Sequence, residues 1–292
     1  MCTQANDVRD GTEPATIHTV QYESTGGIPV AEHTECPLVV IHGYAWGVGT
    51  FYSSMPALAE QWPGEVYAID NMGCGQSTRK AWTLGYGEES DLAEVEGYFV
   101  DALDEWRRRK NYQRITLCGH SVGGYLSVAF AEKYPEHVDR LILASPVGVP
   151  PVPDSMSDPK ALAAAPWYFR LARSLWSKGH SPFAVVRNTP LVGKAILGRY
   201  CKNRFSDAEW TNADAKGFLH EYMYRNWCHS EISGGGYAHC TLLLPGAFAR
   251  SPLCDRLPVS EHKRVTGAAC ESAVGVSWYC TGNQRRAAYP SR

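Results

Sequence analysis

Residues 114–130 read RITLCGHSVGGYLSVAF, and no other stretch of the chain restricts its fold as much. Ile115, Thr116, Leu117 and Cys118 form a short β-branched and apolar run suited to a buried strand. From Val122 onward the residues suit a helix. Gly119-His120-Ser121-Val122-Gly123 therefore has to convert a strand into a helix within about two residues. A serine at the apex of such a turn sits in a strained backbone conformation that lifts its hydroxyl above the sheet edge. Gly119 and Gly123 are expected where a Cβ would strike a neighbouring strand or helix. The G-x-S-x-G pattern is short, so the strand before it and the helix after it carry the inference.

Strand and helix patterns alternate around this turn. Thr16–Tyr22 alternates as an edge strand would, and residues 37–41, 66–70 and 140–145 are apolar runs suited to strands buried on both faces. Phe51 to Gln61 reads as a helix. Leu92, Val95, Phe99, Leu103 and Trp106 recur at three and four and predict an amphipathic helix between Ser90 and Lys110. Buried strands separated by helices imply an α/β fold with a mostly parallel, doubly wound sheet. After the first central strand comes HGYAWGVG, residues 42–49, a Gly-rich loop that lets backbone N–H groups point inward. With the elbow it offers Gly43 as a close-approach position and the amides of Tyr44 and Val122 as donors to a developing oxyanion. A phosphate loop is the weaker alternative, since G-x-x-x-x-G-K-[ST] is absent and no Lys lies nearby. Asp70, at a strand end beside Gly73 and Gly75, reads as a cap for the loop's own amides rather than as a catalytic acid.

The chain divides by composition. Residues 1–15 are polar and expected to be disordered, and 16–149 form the α/β core. Residues 150–257 open on the stiff Val149-Pro150-Pro151-Val152-Pro153 and continue as an aromatic-rich helical insertion that reads as a lid with a return segment; 258–292 form an atypical tail. A net charge of −2 and a pI near 6.5 give no footing for nucleic acid, and Arg107 to Lys110 reads as a solvated helix end. No apolar run reaches the ~18 residues that would span a bilayer, and MCTQANDVRD has no signal-peptide core, so an intracellular location, cytoplasmic or mitochondrial, is expected. The ten cysteines are scattered without C-x-x-C and read as reduced thiols. Cys228-His229 and His239-Cys240 lack the context of a zinc site, so neither metal nor cofactor is expected.

The order HGYAWG, DNMGCGQS, GHSVGG and KYPEHVDRLILASPVGVP resembles the α/β-hydrolases, and within them a lipid-acting branch that includes a fungal mitochondrial cardiolipin deacylase, the animal lipid-droplet lipase co-activator and N-acylphosphatidylethanolamine lipases. APWYFRLARSLWSKGHSPF, EYMYRNW and LLLPGAFARSPLCDRL resemble that branch's cap and return segment. The resemblance spans roughly residues 35–258. It implies hydrolysis of a lipid acyl ester through an acyl-enzyme on Ser121, at or near a membrane or lipid-droplet surface that the protein touches peripherally.

In that family the acid and base follow the nucleophile on later loops. Nothing after Leu257 resembles the family's Gly-x-x-Asp turn or Gly-Gly-His loop. His262 precedes the strand-like stretch Ala273–Cys280 rather than following it. His137, His180, His220, His229 and His239 read as surface or packing residues. No histidine has Asp five positions on, so the branch's acyltransferase signature is absent. The tail therefore reads as a foreign segment in place of the last strands. Two functions remain: an ester hydrolase, active or incomplete, and a non-catalytic lipid-binding or lipase-regulating partner. Haloalkane dehalogenase or epoxide hydrolase chemistry would need a carboxylate where Ser121 stands.

Overall fold

A computed structural model describes residues 2–9, 14–23, 36–80, 82–85, 90–153, 158–165, 167–177, 183–204, 213–228, 239–244, 248–256 and 275–279. The central sheet has seven strands. In chain order they are β1 Cys2–Arg9, β2 Pro14–Tyr22, β3 Leu38–Ile41, β4 Val66–Ile69, β5 Ile115–His120, β6 Val138–Ala144 and, labelled β9 because a short hairpin intervenes, Gly275–Tyr279. Their spatial order is β1-β2-β4-β3-β5-β6-β9. The pairs β3–β4, β3–β5, β5–β6 and β6–β9 are parallel, and β1–β2 and β2–β4 are antiparallel. The mostly parallel sheet inferred from the sequence is present.

Two expectations need correction. Residues 1–15 were expected to be disordered, yet Cys2–Arg9 pairs along its whole length with Pro14–Tyr22. Thr16–Tyr22 is consequently not an edge strand: it lies between β1 and β4. Backbone pairing in an antiparallel hairpin needs no apolar run in the outer strand, which is why hydropathy missed it. Asp10-Gly11 between the two strands was the sequence signal that could have revealed it.

The helix α1, Met55–Gln61, follows a short 3-10 turn over Val48–Phe51, so the helix expected from Phe51 starts later. Pro56 in its first turn fits the start. The long helix α2, Leu92–Arg109, starts where the Asp91 side chain accepts a hydrogen bond from the Ala93 amide. Val95, Phe99, Leu103 and Trp106 are buried against the sheet as their spacing predicts, and Trp106 Nε1 donates to Thr19 Oγ1 at 2.9 Å. The elbow helix α3, Val122–Lys133, packs on the same core through Val122, Tyr125, Leu126, Ala129 and Phe130.

Between β6 and β9 lie α4 Pro159–Ala164, α5 Trp167–Ser177, α6 Phe183–Asn188, α7 Pro190–Arg204 and α8 Ala213–Cys228, then the two-stranded hairpin β7 Leu243–Leu244 with β8 Phe248–Ala249, and α9 Leu253–Arg256. Val186, Leu197, Leu219, Met223 and Trp227 form a core of their own. Leu242, Leu243, Ala249 and Leu253 instead join the main core. Arg256 fastens this return segment: its guanidinium bridges Glu96 of α2 and Glu132 of α3 and lies over the Tyr125 ring. Cys118 in β5 is a free thiol whose pKa burial pushes up to about 11, so it stays protonated.

Candidate active site

Ser121 has φ 56° and ψ −117°, an unfavourable conformation for a residue with a Cβ, directly between β5 and α3. Its backbone is over-determined. The Ser121 amide donates to Ala144 O at 3.1 Å, continuing the ladder with β6. Its carbonyl accepts from the amides of Gly124, Val147 and Tyr125 at 3.0, 3.0 and 3.3 Å. These bonds hold the strain without any help from the side chain.

The glycines explain why the turn can be so tight. A Cβ on Gly119 would lie 2.3 Å from Gly123 O, and one on Gly123 would lie 2.3 Å from Ile41 O. Substitution at Gly119 would push the elbow helix off β5, and substitution at Gly123 would push it off β3. A Cβ on Gly43 would lie 2.9 Å from Ser121 Cβ. The loop after β3 therefore runs directly beside the serine, and the three glycines singled out by sequence meet at this one point. Ser121 itself is half-buried. Val122 is the first residue of α3, so its N–H has no intrahelical acceptor and lies at the positive end of the helix.

The loop carrying Tyr44 is held from two sides. On the core side His42 is fully buried; its Nδ1 is 2.8 Å from Gly43 O, and its Nε2 accepts from the Asn71 amide at 3.0 Å. That pairing assigns the proton to Nδ1. Burial lowers the His42 pKa against the opposing pull of Asp70 and the Gly43 carbonyl, so the ring stays neutral and structural. Asp70, 1% exposed, takes the Val48 amide on Oδ1 at 2.8 Å, and the Gln76 amide and His18 Nδ1 on Oδ2 at 3.0 and 2.7 Å. It is the loop cap that the sequence indicated. Burial alone would raise its pKa, but the His18 bond, the neighbouring His42 ring and the two amides together hold it below the ordinary carboxylate range.

On the other side the loop is gripped by α8. Ala45 adopts φ 64°, and its carbonyl accepts from Asn226 Nδ2 at 3.1 Å and Trp227 Nε1 at 2.9 Å. The Gly49 amide donates to Tyr222 OH at 3.1 Å. Gly47 and Gly49 leave room for that tyrosine, since a Cβ on either would come within 2.7 Å of it. The Tyr44 ring packs against Trp176 of α5 and Phe183 of α6, with centroids 5.8 and 5.2 Å away. Sequence reasoning did not single out Tyr222, Asn226 or Trp227 as loop supports.

The histidines divide similarly. His18 belongs to Asp70, and His120 lies under the Trp46 ring with centroids 4.9 Å apart. His239, 1% exposed, is stacked on Phe99 with centroids 4.8 Å apart. His137 follows the elbow helix, beside Glu136. His180, His229 and His262 lie outside the described residues. Among the described residues no imidazole or carboxylate hydrogen-bonds the Ser121 hydroxyl. Nor is any group of three or more His, Cys, Asp or Glu gathered as a metal ion would need, and no described helix is long and apolar enough to cross a membrane.

Comparison with known proteins bears on the family and the fold. Relatives include a probable 1-acylglycerol-3-phosphate O-acyltransferase of Oryza sativa subsp. japonica, 32% identical over 244 residues, covering 82% of this chain and 55% of that protein. Human 1-acylglycerol-3-phosphate O-acyltransferase ABHD5 is 29% identical over 227 residues, covering 76% and 59%. Mouse (lyso)-N-acylphosphatidylethanolamine lipase is 29% identical over 224 residues, covering 76% and 60%. The chain thus spans a little over half the length of these curated relatives. Among solved structures, bromoperoxidase from Bacillus anthracis superposes with a TM-score of 0.54 at 19% identity, over 86% of this chain and 75% of that one. A thermophilic esterase from Thermogutta terrifontis gives 0.52 at 16%, over 87% and 73%. These last two speak to fold alone. A family model described as alpha/beta hydrolase fold matches residues 37–183, which hold the Gly-rich loop, the elbow and the start of the helical insertion, and the chain belongs to that family.

Proposed function

We propose that the chain acts on the acyl ester of a phospholipid, of lysophospholipid or cardiolipin type, with the Ser121 hydroxyl as nucleophile. The observation that carries this is the strained, over-determined backbone of Ser121 at the strand-to-helix elbow, with the Tyr44 loop pressed against its Cβ. In this reading Ser121 Oγ attacks the ester carbonyl and the amides of Tyr44 and Val122 take the developing oxyanion. The alcohol departs from the tetrahedral adduct to leave an acyl-serine, which water then cleaves. The step needs a base to take the Ser121 proton, and none touches that hydroxyl among the described residues. The helices between residues 159 and 228 act as a lid: Trp176 and Phe183 on its underside pack against Tyr44 of the loop. The lipid-acting names of the relatives support the substrate class. The test is labelling by a fluorophosphonate probe together with release of fatty acid from a panel of phospholipids. Labelling with release supports the reading, and absence of both removes it.

The second reading is a non-catalytic lipid-binding or lipase-regulating partner. It is favoured by the absence, among the described residues, of any base on the Ser121 hydroxyl. Lipid binding without probe labelling would select it.

Gly43 offers a separate check of the oxyanion loop. In Gly43→Ala the new methyl meets Ser121 Cβ at 2.9 Å and His120 O at 3.3 Å, so loop and serine must move apart. Labelling is expected to slow about a hundredfold, the cost of misplacing a reacting group, while unfolding free energy drops by only about 1–2 kcal/mol. Labelling kinetics and urea unfolding on one preparation separate the two effects.

A further inference from the structure

Two helices of the insertion turn large apolar side chains outward. On α5, Trp167, Leu171 and Leu175 recur every fourth residue and so form one stripe, 70, 51 and 39% exposed. The opposite side of that helix is anchored, with Trp176 Nε1 donating to Cys240 O at 3.0 Å and Leu243 O at 2.8 Å. On α7, Gly193 fits against Val186 and Leu197 is fully buried, which leaves Leu191, Val192 and Ile196 outward at 88, 54 and 44% exposure. Exposed apolar stripes of this kind mark interaction surfaces.

Charge indicates what covers them. Between Asp158 and Asp207 there is no Asp or Glu and there are nine Lys or Arg, whereas the rest of the chain carries 19 Lys or Arg against all 30 acids. Arg199 and Lys202 are exposed and fall eight and eleven residues after Leu191, on the same side of α7. A second copy of the chain would oppose like charge to like. A surface with apolar depth and negative headgroups complements both features at once.

We propose that the outward faces of α5 and α7 dock on a bilayer that contains anionic phospholipid, placing the aliphatic and indole side chains below the headgroups and Arg199 and Lys202 among the phosphates. The docked insertion would present the Tyr44 loop beneath it to lipid, so the proposal rests on the lipid-substrate reading while concerning a different surface.

The test is flotation of the full chain with vesicles of phosphatidylcholine alone and of phosphatidylcholine with about a third phosphatidylglycerol, at low and high salt. Binding to the mixed vesicles is expected, at least about tenfold weaker to the neutral ones and weakened by salt. Arg199→Ala with Lys202→Ala should lower the partition coefficient about 25-fold, roughly fivefold per cation. Leu191→Ser with Val192→Ser should lower it on both vesicle types. These residues are exposed, so fluorophosphonate labelling and thermal unfolding should not change in either variant. Absence of vesicle binding, equal binding to both compositions, or variants that bind like wild type would overturn the proposal. So would a dimer that dissociates in Leu191→Ser with no vesicle binding, which gives the face to self-association. Vesicle binding without labelling would leave docking intact and remove catalysis.

Discussion

Ser121→Ala is expected to abolish fluorophosphonate labelling and to lower any ester turnover by about 10³-fold or more, with little change in unfolding free energy. On the proposed reading the loss is large because the Ser121 oxygen forms the covalent bond, and oxyanion donors and lipid contacts alone would sustain only a small remainder. The stability effect is small for a reason visible in the backbone. The φ of 56° is imposed by the bonds of the Ser121 amide to Ala144 and of its carbonyl to Gly124, Tyr125 and Val147, and alanine keeps all of them. Serine and alanine bear the same Cβ strain, so the change falls within about 1 kcal/mol. Labelling should be followed by intact-protein mass spectrometry and stability by urea midpoint. Equal labelling of variant and wild type would take Ser121 out of the mechanism. A collapse of stability would mean that the hydroxyl supports the elbow rather than serving chemistry.

What the sequence made legible was local chemistry with a fixed spacing. The elbow could be read because strand, two glycines and helix must occur in one order, and the Gly-rich loop because it follows a strand buried on both faces. The α2 face followed from period alone. Asp70 was readable as a cap because glycine turns flank it. The supports contributed by α8 were not readable: Asn226 and Trp227 reach the Ala45 carbonyl across 181 and 182 residues, and such contacts leave no periodic trace. The outer strand β1 escaped for a different reason, since its pairing is made by backbone and its residues carry no apolar run. The histidines were placed only by exclusion, and neither spacing nor resemblance pointed to a base for Ser121.

Asp70→Asn is expected to cost about 3–5 kcal/mol of stability and to slow labelling of Ser121, although Asp70 takes no part in the chemistry. Each carboxylate oxygen already has a donor: Val48 N–H on Oδ1, and Gln76 N–H with the His18 ring on Oδ2. Asparagine presents one oxygen and one NH₂. Whichever way it is turned, an N–H donor then faces another N–H donor in a site from which water is excluded. A turn that points the NH₂ at Val48 loosens the Tyr44 loop; the other orientation loosens the turn after β4 and His18. Removing one partner of a buried, hydrogen-bonded charge lies at the costly end of single substitutions. Acid should reveal the same group in the wild type. Because the folded-state pKa of Asp70 is depressed, its stabilising contribution is complete above the unfolded value near pH 4 and is lost as the pH falls through the lower folded value. The gap in urea midpoint between wild type and Asp70→Asn should therefore narrow between pH 5 and pH 3. A gap that widens on acidification would show that Asp70 is already protonated in the fold, and the loop would then be held by something other than its charge.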